Sequence, residues 1–257
     1  MKQVGSDHAD QPHDGPGSPD EADFSPNGMV KALLSTAAEV DKSDVPARLC
    51  QACVDLLDIT GASISLSGEG DTRATWWSSD PVAAKLAEAQ YSLGDGPCRS
   101  AMQEMAPVLA ADLSEGQDAR RWPLFAYQAV ELGVRAVFSL PLGSSVVAMG
   151  SLDLYRSTPG PLSERDQSFA FPAADAITTA LLSLHLASTS AGEDWAWFET
   201  AETDHSDVHR ATGMIMIFLG LDAPQALARL RAHAFTSGQS VTEAARDVIA
   251  GRISFHD

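Results

Sequence analysis

The spacing of hydrophobic positions changes along the chain, and each change predicts a different kind of element. Residues 29–40 and 46–58 carry apolar side chains every three or four positions, which is typical of helices with one buried side. After Gly61, apolar side chains alternate with serines over residues 62–67. This alternation predicts a β-strand with one buried face.

The segment that follows predicts the neighbours of this strand. Residues 72–78 form its hairpin partner, and the adjacent Trp76 and Trp77 are expected on opposite faces, so that only one enters the core. Ser163 with an acid three positions later is a capping box that begins a long helix. Helices around an antiparallel sheet make this an α+β domain. The remaining predicted helices span 81–91 and 97–104, and the remaining strands span 134–141 and 146–155.

The C-terminal part of the chain changes character, because it has no strand pattern and three helical patterns. The first helix is predicted from Trp195 to Leu219, with Gly220 ending it. Asp222 and Ser240, each followed three positions later by Gln or Glu, begin the second and third helices. We therefore expect a compact three-helix bundle after the sheet domain.

Charge is distributed unevenly, and this limits the possible partners. The 257 residues carry a formal charge of −18, which repels phosphate backbones and anionic lipid at long range. Residues 208–252 nevertheless hold five arginines against three carboxylates, so this region is locally basic. Selective contact with nucleic acid therefore has to come from this C-terminal island.

The rest of the composition predicts a cytoplasmic protein without a membrane partner. No apolar stretch approaches the roughly 20 residues of a membrane-spanning helix, and the N-terminus lacks the pattern of a secretory signal. Three cysteines do not make a disulfide framework. Residues 1–28 are acidic and rich in proline and glycine, so we expect a disordered tail.

Four segments carry a set of sequence motifs, and the most distinctive motif is the loop Gly94-Asp95-Gly96-Pro97-Cys98. Together they resemble a GAF sensor domain of the actinobacterial type, over residues 29–187. The resemblance implies a PAS-like antiparallel sheet with flanking helices, often dimeric, with a small-molecule pocket between the sheet and its covering loops. The segments are Gln90–Ala101, Val108–Leu113, Gly133–Leu142 and Gly150–Tyr155.

The basic C-terminal region carries a second pattern of small and apolar residues. It resembles an ANTAR domain, with Thr212 standing where the family usually has lysine. This resemblance implies a three-helix bundle that binds paired RNA stem-loops in nascent transcripts, usually as a dimer, and so prevents terminator formation. The matching positions are Ala211-Thr212-Gly213, Met216, Ala226, Leu230-Arg231, Ala234 and Ala245.

Charge and resemblance together select the candidate RNA-binding residues. Guanidinium groups suit RNA loops because they stack on unpaired bases and bind phosphate with two donors. The alternative is a solvated helical face with intrahelical ion pairs. Glycine in mid-helix is explained either by close helix packing or by a close RNA backbone, and we favour packing. The candidates are Arg210, Thr212, Gly213, Arg229, Arg231 and Arg246.

Trp77, Tyr91, Cys98 and Trp122 are the candidate ligand pocket, because aromatic walls suit a small organic molecule. Pro97 places Cys98 in the first turn of a helix, where the helix dipole favours a thiolate. We favour a half-buried packing role for this thiol. The two cysteines at 50 and 53 lie inside an apolar helix, and we interpret them as structural.

The leading interpretation is a signal-responsive, RNA-binding transcription antiterminator that is not an enzyme. Two alternatives stay open: a GAF-type thiol oxidoreductase using Cys98, and a ligand-binding dimerisation protein whose bundle does not bind RNA. We expect no cofactor and no metal, because the histidines lack ligand spacing. The expected partners are RNA stem-loops and an unidentified small molecule in the sensor.

We also expect a homodimer in which the helix from Trp195 to Leu219 carries the signal. Asp204 and His205 interrupt its apolar stripe, and such a gap weakens a coiled coil locally. The domain borders that follow are a sensor at 29–187, a linker with the start of the long helix at 188–207, and an RNA-binding domain at 208–257.

Overall fold

The computed structural model describes residues 35, 45–67, 73–143, 148–190 and 205–255. The predicted tail at 1–28, almost all of the helix at 29–40 and the N-terminal part of the helix from Trp195 lie outside these residues. The described elements are α1 (Val45–Leu56), β1 (Gly61–Ser67), β2 (Arg73–Ser78), α2 (Pro81–Leu93), α3 (Pro97–Glu104), β3 (Val108–Ala110), α4 (Gly116–Arg121), α5 (Pro123–Glu131), β4 (Ala136–Gly143), β5 (Ala148–Arg156), α6 (Glu164–Ser190), α7 (Ser206–Leu219), α8 (Ala223–Thr236) and α9 (Val241–Ile249).

The five described strands form one antiparallel sheet in the order β2-β1-β5-β4-β3. Ser139 of β4 pairs with Asp153 of β5, which pairs with Ser63 of β1. One polar row therefore crosses the middle of the sheet. Because side chains alternate along a strand, the rows beside it present apolar residues to the opposite face.

The two faces of the sheet are covered by different helices. The apolar face packs against α1 and α6 in a cluster that includes Ile64, Phe138 and Leu154. The other face lies under α2 and α3. At its edge Val137 and Tyr155 join a second cluster with residues of α2, α3 and α5. This confirms the predicted α+β architecture.

The sequence predicted one buried face for β1, and this prediction was wrong. Ser63 and Ser65 are buried together with their apolar neighbours. Alternation shows which residues share a face, but it does not show whether a helix covers the polar face. Here α2 covers it, so both sides of the strand are inside the domain.

Of the two adjacent tryptophans only Trp76 is fully buried, as expected, but the expectation that they lie on opposite faces was wrong. Trp76 is buried in the apolar cluster, and Trp77 packs against the same cluster. The pairing of β1 with β2 shifts register between Ile64 and Ser65. Such an irregularity places an extra residue in one strand and breaks strict alternation, so neighbouring side chains turn to one side.

A short loop joins α2 to α3 and fixes where both helices lie. Asp80 begins α2 by accepting hydrogen bonds from the amides of Val82 and Ala83, at 2.8 and 3.0 Å. Gly94 ends it in the left-handed conformation, at a φ of 66°. Pro97 then begins α3, as the sequence predicted.

The C-terminal bundle consists of α7, α8 and α9 around one apolar core. The predicted capping boxes at Asp222 and Ser240 are both present. The predicted continuous helix through residue 205 is wrong, because α7 begins at Ser206 with His205 as its cap. His205 is buried, so it is not a polar gap on an exposed stripe.

Candidate functional site

A chain of buried polar side chains lies beneath α2 and α3 on the polar face of the sheet. Cys98 Sγ lies 3.0 Å from the hydroxyl of Ser151, which is 3.3 Å from the carboxylate of Asp153. Ser139 donates to the same carboxylate at 2.5 Å. All four residues are at most 7% exposed. Hydrogen bonds to a buried carboxylate offset its desolvation, so this chain is a closed structural network.

Gln90 links this network to the loop at 94–98. Its side-chain oxygen accepts a hydrogen bond of 2.7 Å from the amide of Cys98. A Cβ at Gly96 would lie 2.7 Å from that oxygen, and Gly96 has a φ of 139°. Glycine is therefore required at 96 by both backbone conformation and the close approach of Gln90.

The structure does not bring the four predicted pocket residues together. Trp77 packs on the apolar face of the sheet, whereas Trp122 belongs to the cluster under α5 and donates to Ser100 at 3.2 Å. Tyr91 is buried among residues of the C-terminal bundle. Cys98 lies in the polar chain. The sequence identified side chains that suit a pocket, but it did not determine where in the fold each side chain packs.

Two open clefts are lined by other residues. A cleft of about 320 Å³ lies between the end of β4 and α6, lined partly by Met105, Pro141 and Phe171. A larger cleft of about 480 Å³ lies between α2, α5 and the turn from α8 to α9, with Tyr127 and Phe235 among its lining residues. The second cleft has walls from both domains.

The paired cysteines of α1 behave as structural residues. Neither Cys50 nor Cys53 forms a disulfide, and both are buried in the apolar cluster. Burial raises the pKa of the Cys53 thiol to about 12. A neutral thiol is a poor nucleophile and a poor metal ligand, which argues against redox chemistry at Cys53.

The candidate arginines of the bundle fall into an exposed set and one half-buried member. Arg210, Arg229 and Arg246 are exposed, whereas Arg231 is half-buried. Arg246 Nε donates to Asp207 at 3.2 Å. Asp207 lies one turn before Arg210 on α7, so Arg210 and Arg246 share one side of the bundle. An exposed ion pair of this kind contributes little to stability.

Thr212 and Gly213 have different surroundings although they are adjacent. Thr212 is buried and donates to the carbonyl of Val208 at 2.7 Å, so it lies inside the bundle and not on its surface. A Cβ at Gly213 would meet no atom within 4 Å. Packing among the described residues therefore does not require this glycine.

An apolar patch lies beside Gly213 on α7. Ile217, one turn further along the helix, is 84% exposed, and Phe218 is also largely exposed. Phe218 lines a groove of about 220 Å³ together with Met214 and Phe255. Large apolar side chains grouped on a surface are typical of a contact site.

The bundle is joined to the sensor by stacked rings. The rings of Tyr91 and His205 lie parallel, with centroids 3.6 Å apart and an interplanar angle of 11°. The guanidinium of Arg231 lies 5.6 Å from the centre of the Tyr91 ring. A Cβ at Gly94 would lie 2.7 Å from Arg231 Nη1, so the guanidinium rests against the backbone of the loop.

Hydrogen bonds cross the same junction. The amide of Val241, the first residue of α9, donates to the hydroxyl of Ser92 at 3.0 Å. The Thr242 hydroxyl donates to Glu88 at 3.2 Å, and His205 Nε2 lies 3.9 Å from the other oxygen of that carboxylate. We call Glu88, Tyr91, Ser92 and Gly94, with the bundle residues that contact them, the sensor–bundle junction.

Burial at the sensor–bundle junction raises the pKa of Glu88 above its ordinary value. Hydrogen bonds from Ser92 and Thr242 oppose this shift, as does the charge of Arg246, whereas Glu243 adds to it. Desolvation is the largest of these effects, so the junction favours a neutral Glu88.

Sequence reasoning missed the role of His205 in this junction. A histidine inside an apolar stripe was visible, but its partner Tyr91 is far away in sequence. The sequence feature that could have indicated this contact is the group of polar and aromatic residues near the end of α2. It indicates a contact surface but not which part of the chain covers that surface.

Among the described residues, no single helix is long and apolar enough to cross a bilayer. The helices Ser206–Leu219 and Ala223–Thr236 reach that length and composition only when taken together, and the pair is bent by 107°.

Solved structures with a similar fold were found, whereas curated proteins gave no match. The GAF domain of a phosphoenolpyruvate-protein phosphotransferase from Coxiella burnetii has a TM-score of 0.50 and 11% identity, covering 66% of this chain and 97% of that one. Its likeness concerns the fold alone. A free methionine-R-sulfoxide reductase from Neisseria meningitidis has a TM-score of 0.49 and 16% identity, covering 66% of this chain and 96% of that one.

Family models match both parts of the chain. A GAF domain model matches residues 39–182, and an ANTAR domain model matches residues 198–249. The first match spans more than half of the chain, and it coincides with the sheet and its covering helices. The second coincides with the three-helix bundle. The chain therefore belongs to the GAF domain family and carries an ANTAR domain after its sensor.

Proposed function

We propose that this protein is a signal-responsive transcription antiterminator in which the GAF domain controls binding of the ANTAR bundle to stem-loops in nascent RNA. The observation that carries the proposal is the set of exposed arginines, Arg210, Arg229 and Arg246, on the locally basic bundle of an acidic chain. Local attraction then favours specific contact, while the net charge disfavours adsorption elsewhere.

The surface of α7 supplies what a folded RNA needs besides charge. Gly213 has open space above it, which lets a sugar-phosphate backbone approach the helix closely. Ile217 is largely exposed beside it and can contact an unstacked base. Thr212 contributes from inside the bundle, where its hydroxyl bonds the carbonyl of Val208 within α7, rather than by touching RNA.

A homodimer is part of the proposal. Leu182 and Leu186 of α6 are exposed and one turn apart. Two leucines at this spacing on a long helix suit packing against the same face of a second copy. Replacing both by glutamate is expected to shift the mass measured by sedimentation equilibrium from dimer to monomer. Sedimentation of the native chain as a monomer at all concentrations would contradict the dimer.

The thiol oxidoreductase is the weaker alternative. Cys98 is 2% exposed and lies against Ser151, beneath the covering helices. A substrate would have to open the domain to reach its sulfur.

The proposed action on nascent RNA implies a cytoplasmic protein, with a small molecule acting on the GAF domain.

The proposal is tested by selection from a pool of hairpin RNAs with randomised loops, using the full-length protein. We expect enrichment of defined loops, and an affinity that falls steeply with salt because arginines displace counterions from phosphate. Replacing Arg210 and Arg229 by alanine should weaken binding of the enriched RNA. The matched control is Arg120→Ala, an exposed arginine of the GAF domain, which should bind as the native protein does.

Two outcomes would contradict the RNA function. One is a selection that enriches no loop sequence. The other is an enriched RNA whose affinity is lowered equally by Arg120→Ala and by the bundle substitutions. Turnover of a sulfoxide substrate that stops in Cys98→Ser would instead favour the thiol enzyme.

A further inference from the structure

Arg231 has two possible partners on one face of the ANTAR bundle. It belongs to the arginines proposed to bind RNA, yet its guanidinium lies over the Tyr91 ring and against the backbone of Gly94. A guanidinium binds phosphate or a base through its edge and stacks through its plane. At Arg231 the GAF domain covers part of that group, and RNA cannot approach the covered side.

The covering surface is shaped for this bundle. Gly94 takes a left-handed conformation that ends α2, and the missing side chain leaves the space in which the guanidinium lies. The hydroxyl of Ser92 accepts the first amide of α9, which is one of the amides that a helix start leaves without an internal partner. The end of α2 therefore recognises both α8 and α9.

We propose that the GAF domain and RNA compete for the face of the ANTAR bundle that carries Arg231, so that RNA binds fully only after the sensor–bundle junction opens. This inference rests on the proposed RNA function and adds the regulation of that site. The occupant that excludes RNA is the end of α2 with the loop at 94–96.

The contact is suited to opening. It consists of a ring stack, a cation over a ring and a small number of hydrogen bonds around a half-buried Glu88. Contacts of this kind between domains of one chain commonly separate, because they bury little compared with a domain core. Tyr91 is the one GAF residue in the apolar cluster of the bundle, and the other buried apolar residues of the GAF domain form clusters of their own that can stay intact when the junction opens.

One turn of α2 connects the sensor interior to the junction. Gln90 holds the amide of Cys98 above the buried polar chain, and Tyr91, the next residue, faces the bundle. A change that moves the loop or α3 must therefore move Gln90 or break its hydrogen bond. Either event changes the position of Tyr91 relative to His205.

The test compares two glycine substitutions in the full-length protein. Gly94→Ala places a methyl group where Arg231 lies, at a φ of 66°. Gly133→Ala is the matched control, because it has a similar φ of 82° but open space around the added carbon. Both variants carry the backbone strain of a left-handed residue, and only the first displaces the guanidinium.

Two measurements are made on each protein, with the hairpin RNA enriched by selection as the probe. Hydrogen exchange at the Val241 amide reports whether the junction is closed, without any RNA present. A binding titration reports affinity. If the open state is populated at about 1–10%, Gly94→Ala is expected to bind RNA roughly 10-fold or more tightly and to exchange faster at Val241, while Gly133→Ala matches the native protein.

The competition is overturned if Gly94→Ala exchanges faster at Val241 but binds RNA no more tightly. It is also overturned if saturating RNA leaves the exchange of Val241 in the native protein unchanged, a result that does not depend on either variant folding. Failure of the RNA function looks different, because then no hairpin is enriched and no protein, native or variant, shows salt-sensitive binding.

Discussion

Two polar regions of this molecule contrast in how they are enclosed. The chain from Cys98 to Asp153 lies inside the GAF domain, with every member buried and bonded to the next. The sensor–bundle junction is polar too, but its Glu88 is only half-buried, and Tyr91 is the one GAF residue that packs in the core of the bundle. The first region can change only when the domain loosens. The second can open while both domains stay folded.

The contrast indicates where regulation can occur at low cost. A buried carboxylate is held because the loss of its partners leaves an unsatisfied group in a medium of low polarity. A junction at the surface exchanges its hydrogen bonds for bonds to water, so its opening requires less free energy. Polar content alone therefore does not identify a switch, and accessibility decides between the two regions.

The largest expected effect comes from breaking the enclosed region. Asp153→Ala removes the acceptor for Ser139 and Ser151, and it is expected to lower the free energy of unfolding by about 2–4 kcal/mol. Urea denaturation of the full-length chain measures this change. Asp112→Ala, at an exposed turn, is the control and should change stability little. Equal stability of the Asp153 variant and the native chain would show that the network is not structural.

A smaller effect is expected from the junction. Tyr91→Leu keeps an apolar side chain but removes the stack on His205 and the ring beneath Arg231, which together contribute about 1–3 kcal/mol to closure. Exchange at the Val241 amide should become faster while amides of the sheet keep their protection. The exposed Tyr127 provides the control substitution, Tyr127→Leu. Loss of protection throughout the sheet would contradict a separate junction.

Replacement by alanine should affect RNA binding differently at an exposed arginine and at the arginine covered by the GAF domain. Arg210→Ala is expected to weaken RNA binding by about 1 kcal/mol and to reduce the salt slope by about one unit. Arg231→Ala removes an RNA contact and also loosens the junction, so in the full-length chain its net loss should be smaller. Titrations at several salt concentrations measure both. A larger loss for Arg231→Ala would argue that the GAF domain does not restrain that residue.

The smallest effect is the dependence of the junction on pH. Burial raises the pKa of Glu88 above its ordinary value of 4.5, so closure is favoured by the neutral form. That contribution is complete below pH 4.5 and is lost as pH rises through the raised pKa. Protection of Val241 should therefore increase as pH falls through the raised pKa of Glu88 toward 4.5.

Glu88→Gln should flatten this dependence, because glutamine keeps the hydrogen bonds without titrating. The charged or titratable groups that face Glu88 are His205 on the bundle side, with Glu243 and Arg246 of α9 further away. An unchanged slope in Glu88→Gln would contradict the assignment of the pH dependence to Glu88.

The sequence predicted local features well, because they depend on neighbours in the chain. The capping boxes at Asp222 and Ser240, the stop at Gly220 and the start of α3 at Pro97 are all present. These signals involve residues three or four positions apart, whose geometry is fixed by the helix itself. The GAF and ANTAR architecture also followed from the quoted motifs.

Features that depend on distant contacts were not predicted. The serines of β1 are buried because α2 covers them, and His205 is buried because Tyr91 stacks on it. Neither partner is close in sequence. The short β3 and the helices α4 and α5 carry weak periodicity, since three to nine residues give few positions for a pattern.

Gly213 has a consequence for the balance between stability and function in the bundle. Glycine inside a helix is less favourable than alanine by roughly 1 kcal/mol, and here the added methyl group would meet nothing. Alanine at this position would therefore give a more stable isolated chain. Selection for stability alone would therefore favour alanine at this position and would remove the open approach to α7 on which the proposed RNA contact depends.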